Sequence, residues 1–418
     1  MTKKILLSLF VLLMAAVSII AYNFYKNVKQ PVAKTSFEAI PQNAALILKE
    51  KDFNAVYDKL NNTNLIWEEL ISNTEITKKI NTQVHYLDSV LSDPFDNLFS
   101  GKPLLASLHL SGANDYDFIY YIPLSSEIAE ENLIQKIKSI TKRNPEARVY
   151  DGANIHTFPT NNNTKVAVTV YRNTLAFSYS TVLIEDVIRQ LNAETSLIND
   201  PIFAKMIANS GQSDDGNLFI NNKYFTKIIN QYINKSSKKY ATNIEQYTSW
   251  TELDISIKSN TVSLNGFSFS EDNNWVSLFK NQKTQDIDML DITPFNTAFL
   301  YHYGLSNSKV FFENRKLSLK NTNQFFSLQK YLDYQTEKFG IDLEEELLAN
   351  IGNEVAFIVT ESLTEDFSNN KFVAFHSKDI DKTIKDLESI ATKVNEEEFE
   401  VIEFNEYSIN KIELKNVF

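Results

Sequence analysis

The chain has 418 residues, no cysteine, and 53 acidic against 41 basic side chains, a formal charge of −12. Without cysteine it forms no disulfide, no thiolate metal site, no cysteine nucleophile and no lipidated N-terminal cysteine. The acidic balance argues against nucleic acid, whose phosphates need a basic surface, and the length exceeds one ordinary hydrophobic core, so two domains are expected.

Lys3 and Lys4 precede Ile5–Tyr22, "ILLSLFVLLMAAVSIIAY", a run without charge. At ~1.5 Å per residue such a helix spans about 27 Å, close to the hydrocarbon thickness of a bilayer. A cleavable leader is the competing reading, with Ile19 and Ala21 as its small-residue site. Tyr22, Phe24 and Tyr25, followed by Lys26 and Lys29, look like an interfacial belt and favour an uncleaved anchor. Residues 1–30 are therefore expected to be a membrane anchor or signal segment, with the body exported.

Next comes "IPQNAALIL", Ile40–Leu48, which has an echo in "ITPFNTAFLY", Ile292–Tyr301. Pro41, Asn43 and Ala45 match Pro294, Asn296 and Ala298. In each half, helical patterns then lead to a glycine, Gly101 or Gly352, beside an apolar strand, and the glycine is expected to end a helix in the left-handed conformation. Second strands follow at Asp117–Leu124 and Lys371–Lys378. Amphipathic helices come after them, carrying Leu133, Ile137 and Ile140 in one copy and Ile380, Ile384, Leu387 and Val394 in the other. "VYDGANIHTF" from Val149 then parallels "VIEFNEYSIN" from Val401. Matched pieces lie about 250 residues apart throughout, so the chain reads as one unit used twice.

The first copy continues further. "KVAVTVYRN" and "TLAFSYS" alternate around Arg172–Asn173 as a hairpin. Helices are expected at Leu183–Leu191 and Pro201–Ala208, a strand at Asn217–Ile220, and another hairpin turning near Asn260. The second copy stops near the equivalent of residue 164, so a truncated form of a longer protein is expected. The stripe Ile76, Ile80, Val84, Leu87, Leu91 predicts a helix lying on a sheet, and Asp342 with Glu345 predicts a helix cap.

The whole is expected to be α+β: mainly antiparallel sheets with helices on one face and solvent on the other, a duplicated unit after an N-terminal transmembrane helix. The boundaries are 36–270 for the first repeat, 271–290 for a polar linker, and 291–418 for the second, incomplete repeat.

Several of these stretches are similar to the bacterial domain-of-unknown-function 3352 family: the opening "P-x-N-A-A", Trp67, "LFSGKPLLASLHLSG", "LAFSYS", "NDPIFAKM" and "LNGFSFS". The resemblance covers most of residues 36–418 and implies a bacterial protein that is exported or anchored. It brings no activity and no functional residues, because the family has none established.

Chemistry is sparse. His85, His109, His156, His302 and His376 are widely separated, without the short spacings that metal ligands share; each reads as a structural histidine. No nucleophile elbow or phosphate loop occurs, and Ser178, Ser180 and Ser268 are expected to face solvent. Acidic runs such as Asp342–Glu346 read as solvated faces. Tyr116, Tyr120 and Tyr121 suit either a core or a binding surface. No catalytic, cofactor or metal residue is assigned, and no cofactor is expected. The leading expectation is a non-catalytic module at the bacterial inner membrane, its body in the periplasm, binding or scaffolding another envelope protein or polymer. A carrier or sensor of an apolar ligand is the alternative, requiring a pocket of several hundred cubic ångströms between sheet and helices. A hydrolase of envelope polymers, requiring two acids converging in a cleft, is the third.

Overall fold

The computed structural model describes residues 35–50, 53–59, 64–73, 77–83, 85, 103–112, 115–124, 128–160, 164–193, 195–211, 215–235, 237–270, 273–361, 370–395, 400–405 and 407–411. The expected anchor Ile5–Tyr22, Gly101, and Ile76, Val84, Leu87 and Leu91 lie outside these residues. Among the described residues, no helix is long and apolar enough to cross a membrane. The chain divides into two compact units, Met1–Glu245 with Ser249–Phe269, and Gln246–Thr248 with Ser270–Phe418.

The first unit is built on ten strands: β1 Leu46–Glu50, β2 Leu104–Leu110, β3 Tyr116–Pro123, β4 Glu146–Tyr150, β5 Ala153–Pro159, β6 Lys165–Tyr171, β7 Thr174–Ser178, β8 Gly216–Asn221, β9 Trp250–Lys258 and β10 Thr261–Phe269. They form one sheet in the order β10-β9-β8-β1-β2-β3-β7-β6-β5-β4, with every neighbouring pair antiparallel. Local chemistry sets the hairpin tips. Arg172 and Asn173 have φ of 47° and 61°, and Asp151 and Gly152 have φ of 44° and 84°. Two consecutive left-handed residues give the turn whose twist matches that of paired strands.

Helices cover both faces of this sheet, which corrects the expectation of helices on one face and solvent on the other. On one face, Leu183, Val187 and Ile188 of the helix Thr181–Asn192, with Phe203 and Met206 of the helix Pro201–Asn209, pack on Ile47, Ile119 and Phe219. Asp200 starts the second of these helices by accepting hydrogen bonds from the Ile202 and Phe203 amides, the usual stabilising N-cap ahead of a first-turn proline. On the opposite face, Leu133, Ile134 and Ile137 of the helix Glu130–Thr141 pack on Tyr120, Phe158 and Phe177. Each fully buried aliphatic or aromatic side chain here contributes roughly 1.5–3 kcal/mol. The near-continuous apolar runs of β3 and β7 follow from this double cover. So does the burial of Ser178, expected at the surface: its hydroxyl donates to the Phe118 carbonyl at 2.7 Å.

In the second unit, β11 Thr297–Gly304, β12 Ile351–Thr360 and β13 Lys371–Ser377 form a three-stranded antiparallel sheet, and β14 Glu400–Phe404 pairs with β15 Tyr407–Lys411. Strand, helices, two strands, helix and hairpin follow one another here as they do from β1 through β2, β3 and Glu130–Thr141 to β4–β5. Ile390 and Ala391 of the helix Ile380–Asn395 are fully buried, whereas Ile380, expected on the buried stripe, is exposed. Gly352 lies inside β12 instead of ending a helix, and a Cβ there would stand 2.8 Å from the His376 carbonyl oxygen. Glycine is needed at that point for close approach of a neighbouring strand. Asp342 caps its helix as expected, but the residue that answers its own amide is Glu346, not Glu345. The segment expected as a polar linker, 271–290, supplies core: Leu278 and Phe279 pack with Phe311, and Met289 with Ala356 and Ile358.

Candidate functional site

Between the first unit's sheet and a group of helices lies an apolar cavity of about 550 Å³. Its floor follows from strand alternation. Leu46, Leu48 and Glu50 of β1, Leu104, Ala106 and Leu108 of β2, and Tyr116, Phe118 and Tyr120 of β3 project to the same side, joined by Leu218 of β8 and Ile255 of β9. The roof comes from helices. Asn222–Tyr232 contributes Phe225, Ile228, Ile229 and Tyr232, a spacing that places all four on one helical face. Val56, Trp67 and Ile80 come from Phe53–Asp58, Leu65–Asn73 and residues 77–83. Ile80 was the described part of the expected stripe.

Polar stitches at the edges hold this roof. Buried Asn64 caps the helix Leu65–Asn73 by accepting from the Trp67 amide at 2.8 Å, and its Nδ2 donates to the Lys258 carbonyl at 2.5 Å. The Leu65 amide donates to the Ser259 carbonyl at 3.0 Å, so that helix is tied to the β9–β10 turn. Residues 77–83 are tied to β3: Lys79 Nζ donates to the Tyr116 carbonyl at 2.8 Å, Gln83 Nε2 to Asp117 at 3.0 Å, and the Tyr120 hydroxyl to Gln83 Oε1 at 3.1 Å.

Among the described residues of the lining, Glu50 is the carboxylic acid. Burial first, and the neighbouring Asp215 second, push its carboxyl up from 4.5 to about 8, so at neutral pH it is mainly protonated. Its side chain retains some accessible surface because it faces the void. Asp215 is differently placed: it pairs with Lys59 and accepts from the Ile257 amide at 2.6 Å. Among the described residues Glu50 has no such partner. Gly216 lies alongside, and a Cβ there would come within 2.8 Å of the Lys49 carbonyl oxygen and 3.6 Å of Glu50 Cγ.

The model of a protein family of unknown function, DUF3352, matches residues 114–409. The chain belongs to the DUF3352 family. No curated protein matches the DUF3352 chain. Two solved structures are similar at a low level, crystal forms III and I of TP0453, at 14% and 12% identity. They cover 60% of the DUF3352 chain and 88% and 82% of their own, with TM-scores of 0.28 and 0.29, and likeness at that level supports no argument about fold or function.

The residues weighed from the sequence are scattered through the DUF3352 chain. Of the three tyrosines, Tyr116 and Tyr120 line the cavity, and Tyr121 is buried in the core on the opposite face. His109 is fully buried on that same opposite face, its Nδ1 3.0 Å from Asn43 Oδ1 and its Nε2 2.7 Å from Ser107 Oγ, which lies 2.8 Å from the Tyr121 hydroxyl. The atoms resemble a Ser-His-Asn relay, yet Ser107 and His109 are both closed off by packing, and burial pushes the imidazole down to about 3. The group is a satisfied polar network inside the core. His302 meets Glu354 at 2.9 Å in the second unit, and Glu354 also accepts from the Asp288 amide at 2.9 Å. His156 meets Glu130 at 2.7 Å. Among the described residues, no group of three or more histidines and carboxylates is gathered to hold a metal.

Besides Glu50 and Asp215, a further carboxyl pair converges among the described residues. Glu252 and Asp254 of β9 share Asn217 Nδ2, and burial, followed by the Asp254 charge, raises Glu252 to about 7. Glu252 is fully buried, so this carboxyl does not meet a polymer. The cavity-lining helix Asn222–Tyr232 had a readable signal in the sequence, the spacing of Phe225, Ile228, Ile229 and Tyr232. Glu50 had none: within "LILKEKD" it reads as the charged end of a strand.

Proposed function

We propose that this DUF3352 protein is a non-catalytic binding protein that carries or senses an apolar ligand within the cavity of its first unit. The observation that carries this reading is the cavity itself, about 550 Å³ lined by aliphatic and aromatic side chains from five strands and four helical segments. Its size falls in the range of small-molecule sites, roughly 300–1,000 Å³. Apolar voids of this kind are not stabilised by water, which needs two or more polar partners, so an apolar occupant gains free energy by filling one.

The uncharged run Ile5–Tyr22 supports a tether at the bacterial inner membrane with the body in the periplasm, next to a source of apolar ligands. The shared order of strands, helix and hairpin in the two units supports their origin by duplication. In this reading the second unit serves as the surface that meets another envelope component.

The test is binding of Nile red, an uncharged apolar dye, to the purified full chain. Dye fluorescence rises on binding, and Ala106→Phe, which places a ring in the void, abolishes that rise while leaving the unfolding midpoint unchanged or higher. A rise that survives Ala106→Phe undiminished would overturn the assignment of the site. Cross-linking in intact cells that recovers no reproducible envelope partner would count against the role of the second unit.

A further inference from the structure

The second unit repeats the floor of the first unit's cavity and leaves it exposed. Matching Pro41, Asn43 and Ala45 with Pro294, Asn296 and Ala298 sets Leu46 against Phe299 and Leu48 against Tyr301. The sheet registers agree with that match. Leu48 faces Ala106, which faces Tyr120, and in the same way Tyr301 faces Phe357, which faces Val373. Leu46 faces Leu108 as Phe299 faces Val359. Strand alternation sends each set to one side of its own sheet.

What differs is the cover. In the first unit Ile228 packs with Leu108 and Tyr116, and Phe225 and Leu46 join that cluster, so the helix Asn222–Tyr232 roofs these positions. In the second unit Phe299 is 51% exposed and Val373 64%, and Tyr301 and Phe357 are exposed as well. The Phe299 and Tyr301 rings lie 6.2 Å apart at 22°, a flat platform along β11. Its far end is closed, where Trp275 and Phe279 pack on Tyr303. Tyr247, which belongs to this unit, bonds Tyr301 and still leaves it exposed. Apolar side chains clustered at a surface, unlike scattered ones, mark sites of interaction, and aromatic rings carry much of the binding energy at such sites.

We propose that this face of the second unit is the docking site for an amphipathic helix of a partner protein. The occupant presents aromatic and aliphatic residues at i, i+3, i+4 and i+7, as Phe225, Ile228, Ile229 and Tyr232 do over the first unit's sheet. The proposal rests on the partner-meeting role given above to the second unit, and it supplies that role with a site and a chemistry. The choice of a helix follows from the register, because the equivalent positions of the first unit show what such a floor accepts as its roof. A helix also satisfies its own backbone hydrogen bonds and offers a sheet face one apolar stripe.

The experiment is fluorescence anisotropy of a labelled synthetic peptide with the sequence of residues 221–233, titrated with the purified full chain. The peptide is expected to bind. Phe299→Asp and Val373→Asp are each expected to weaken binding at least about tenfold, or ~1.4 kcal/mol. Phe267→Asp, at an exposed position of β10 in the first unit, changes it less than about twofold. A peptide with serine in place of Phe225, Ile228 and Tyr232 does not bind. Unfolding midpoints measured on the same variants stay near that of the wild type, since both second-unit side chains are exposed. A peptide that fails to bind, or that binds Phe299→Asp and Val373→Asp as tightly as the wild type, overturns the inference. So does sedimentation showing a wild-type dimer that Phe299→Asp dissociates, because the occupant is then a second copy of the chain. Reproducible envelope partners recovered by cross-linking in intact cells, with no peptide binding, would leave the role of the second unit standing and remove only this site.

Discussion

Glu50 and Asp215 are neighbouring carboxyls, and the cation goes to Asp215, which pairs with Lys59. Glu50 therefore keeps its proton in the folded state up to about pH 8, whereas an unfolded glutamate releases it near 4.5. Between those values the folded state binds more protons than the unfolded state, so stability falls as pH rises. For this one group the slope is at most about 1.4 kcal/mol per pH unit. Chemical denaturation at a series of pH values should show that Glu50→Gln loses this decline and is more stable than the wild type at pH 8.

His109 produces the opposite slope. Its imidazole stays neutral in the core down to about pH 3, while the unfolded form takes up a proton near 6.5. Stability from this site is complete above 6.5 and is lost as pH falls toward 3. The Glu50 and His109 windows overlap, so the wild-type curve between about pH 4.5 and 6.5 is expected to be flatter than that of either single variant. In His109→Gln the acid-side loss disappears, and denaturation at pH 5 and pH 7 measures the difference.

The helix Leu65–Asn73 is held chiefly through Asn64, which caps the helix with its oxygen and reaches the Lys258 carbonyl with its nitrogen. Asn64→Ala removes both bonds and is expected to lower stability by about 1–2 kcal/mol. It should also raise the Nile red dissociation rate several-fold, because that helix carries Trp67 over the cavity. Asn64→Asp keeps the cap and loses the Lys258 bond, so its stopped-flow rate should fall between the two. Equal rates in all three chains would show that this helix does not control entry.

Gly266 sits on the edge strand β10 opposite Leu253, and a Cβ there would come within 1.8 Å of the Glu252 carbonyl oxygen. Gly266→Ala forces the two strands apart and is expected to lower stability by about 2 kcal/mol or more, with accelerated hydrogen exchange at β10 amides. Gly112→Ala is the control, since the nearest atom to its Cβ, from Asp115, is 4.0 Å away, and it should change neither quantity measurably.

Much of the fold was legible because it rests on local rules. Alternation gave the strands around Arg172–Asn173, where the backbone is left-handed at both turn residues. The helices expected at Leu183–Leu191 and Pro201–Ala208 correspond to Thr181–Asn192 and Pro201–Asn209. Less legible was anything that depends on what covers a surface. Ser178 reads as exposed in an alternating strand and is buried, because helices lie on both faces of the sheet. Gly352 reads as a helix end and is a point of close strand approach. The candidate site was the least legible: Glu50, Trp67 and Asn81 are unremarkable where they stand in the sequence, and no spacing links them.

By itself the sequence determined the absence of thiol chemistry, the acidic balance, the uncharged leading run, the recurring order of elements and the positions of turns. These depend on composition and on interactions between residues close along the chain. Only the tertiary structure decided that the first unit buries both faces of its sheet and leaves an apolar void beside Glu50. A void is a property of how well strands and helices from distant parts of the chain fill the space between them, and the proton affinity of Glu50 is a property of what surrounds it there.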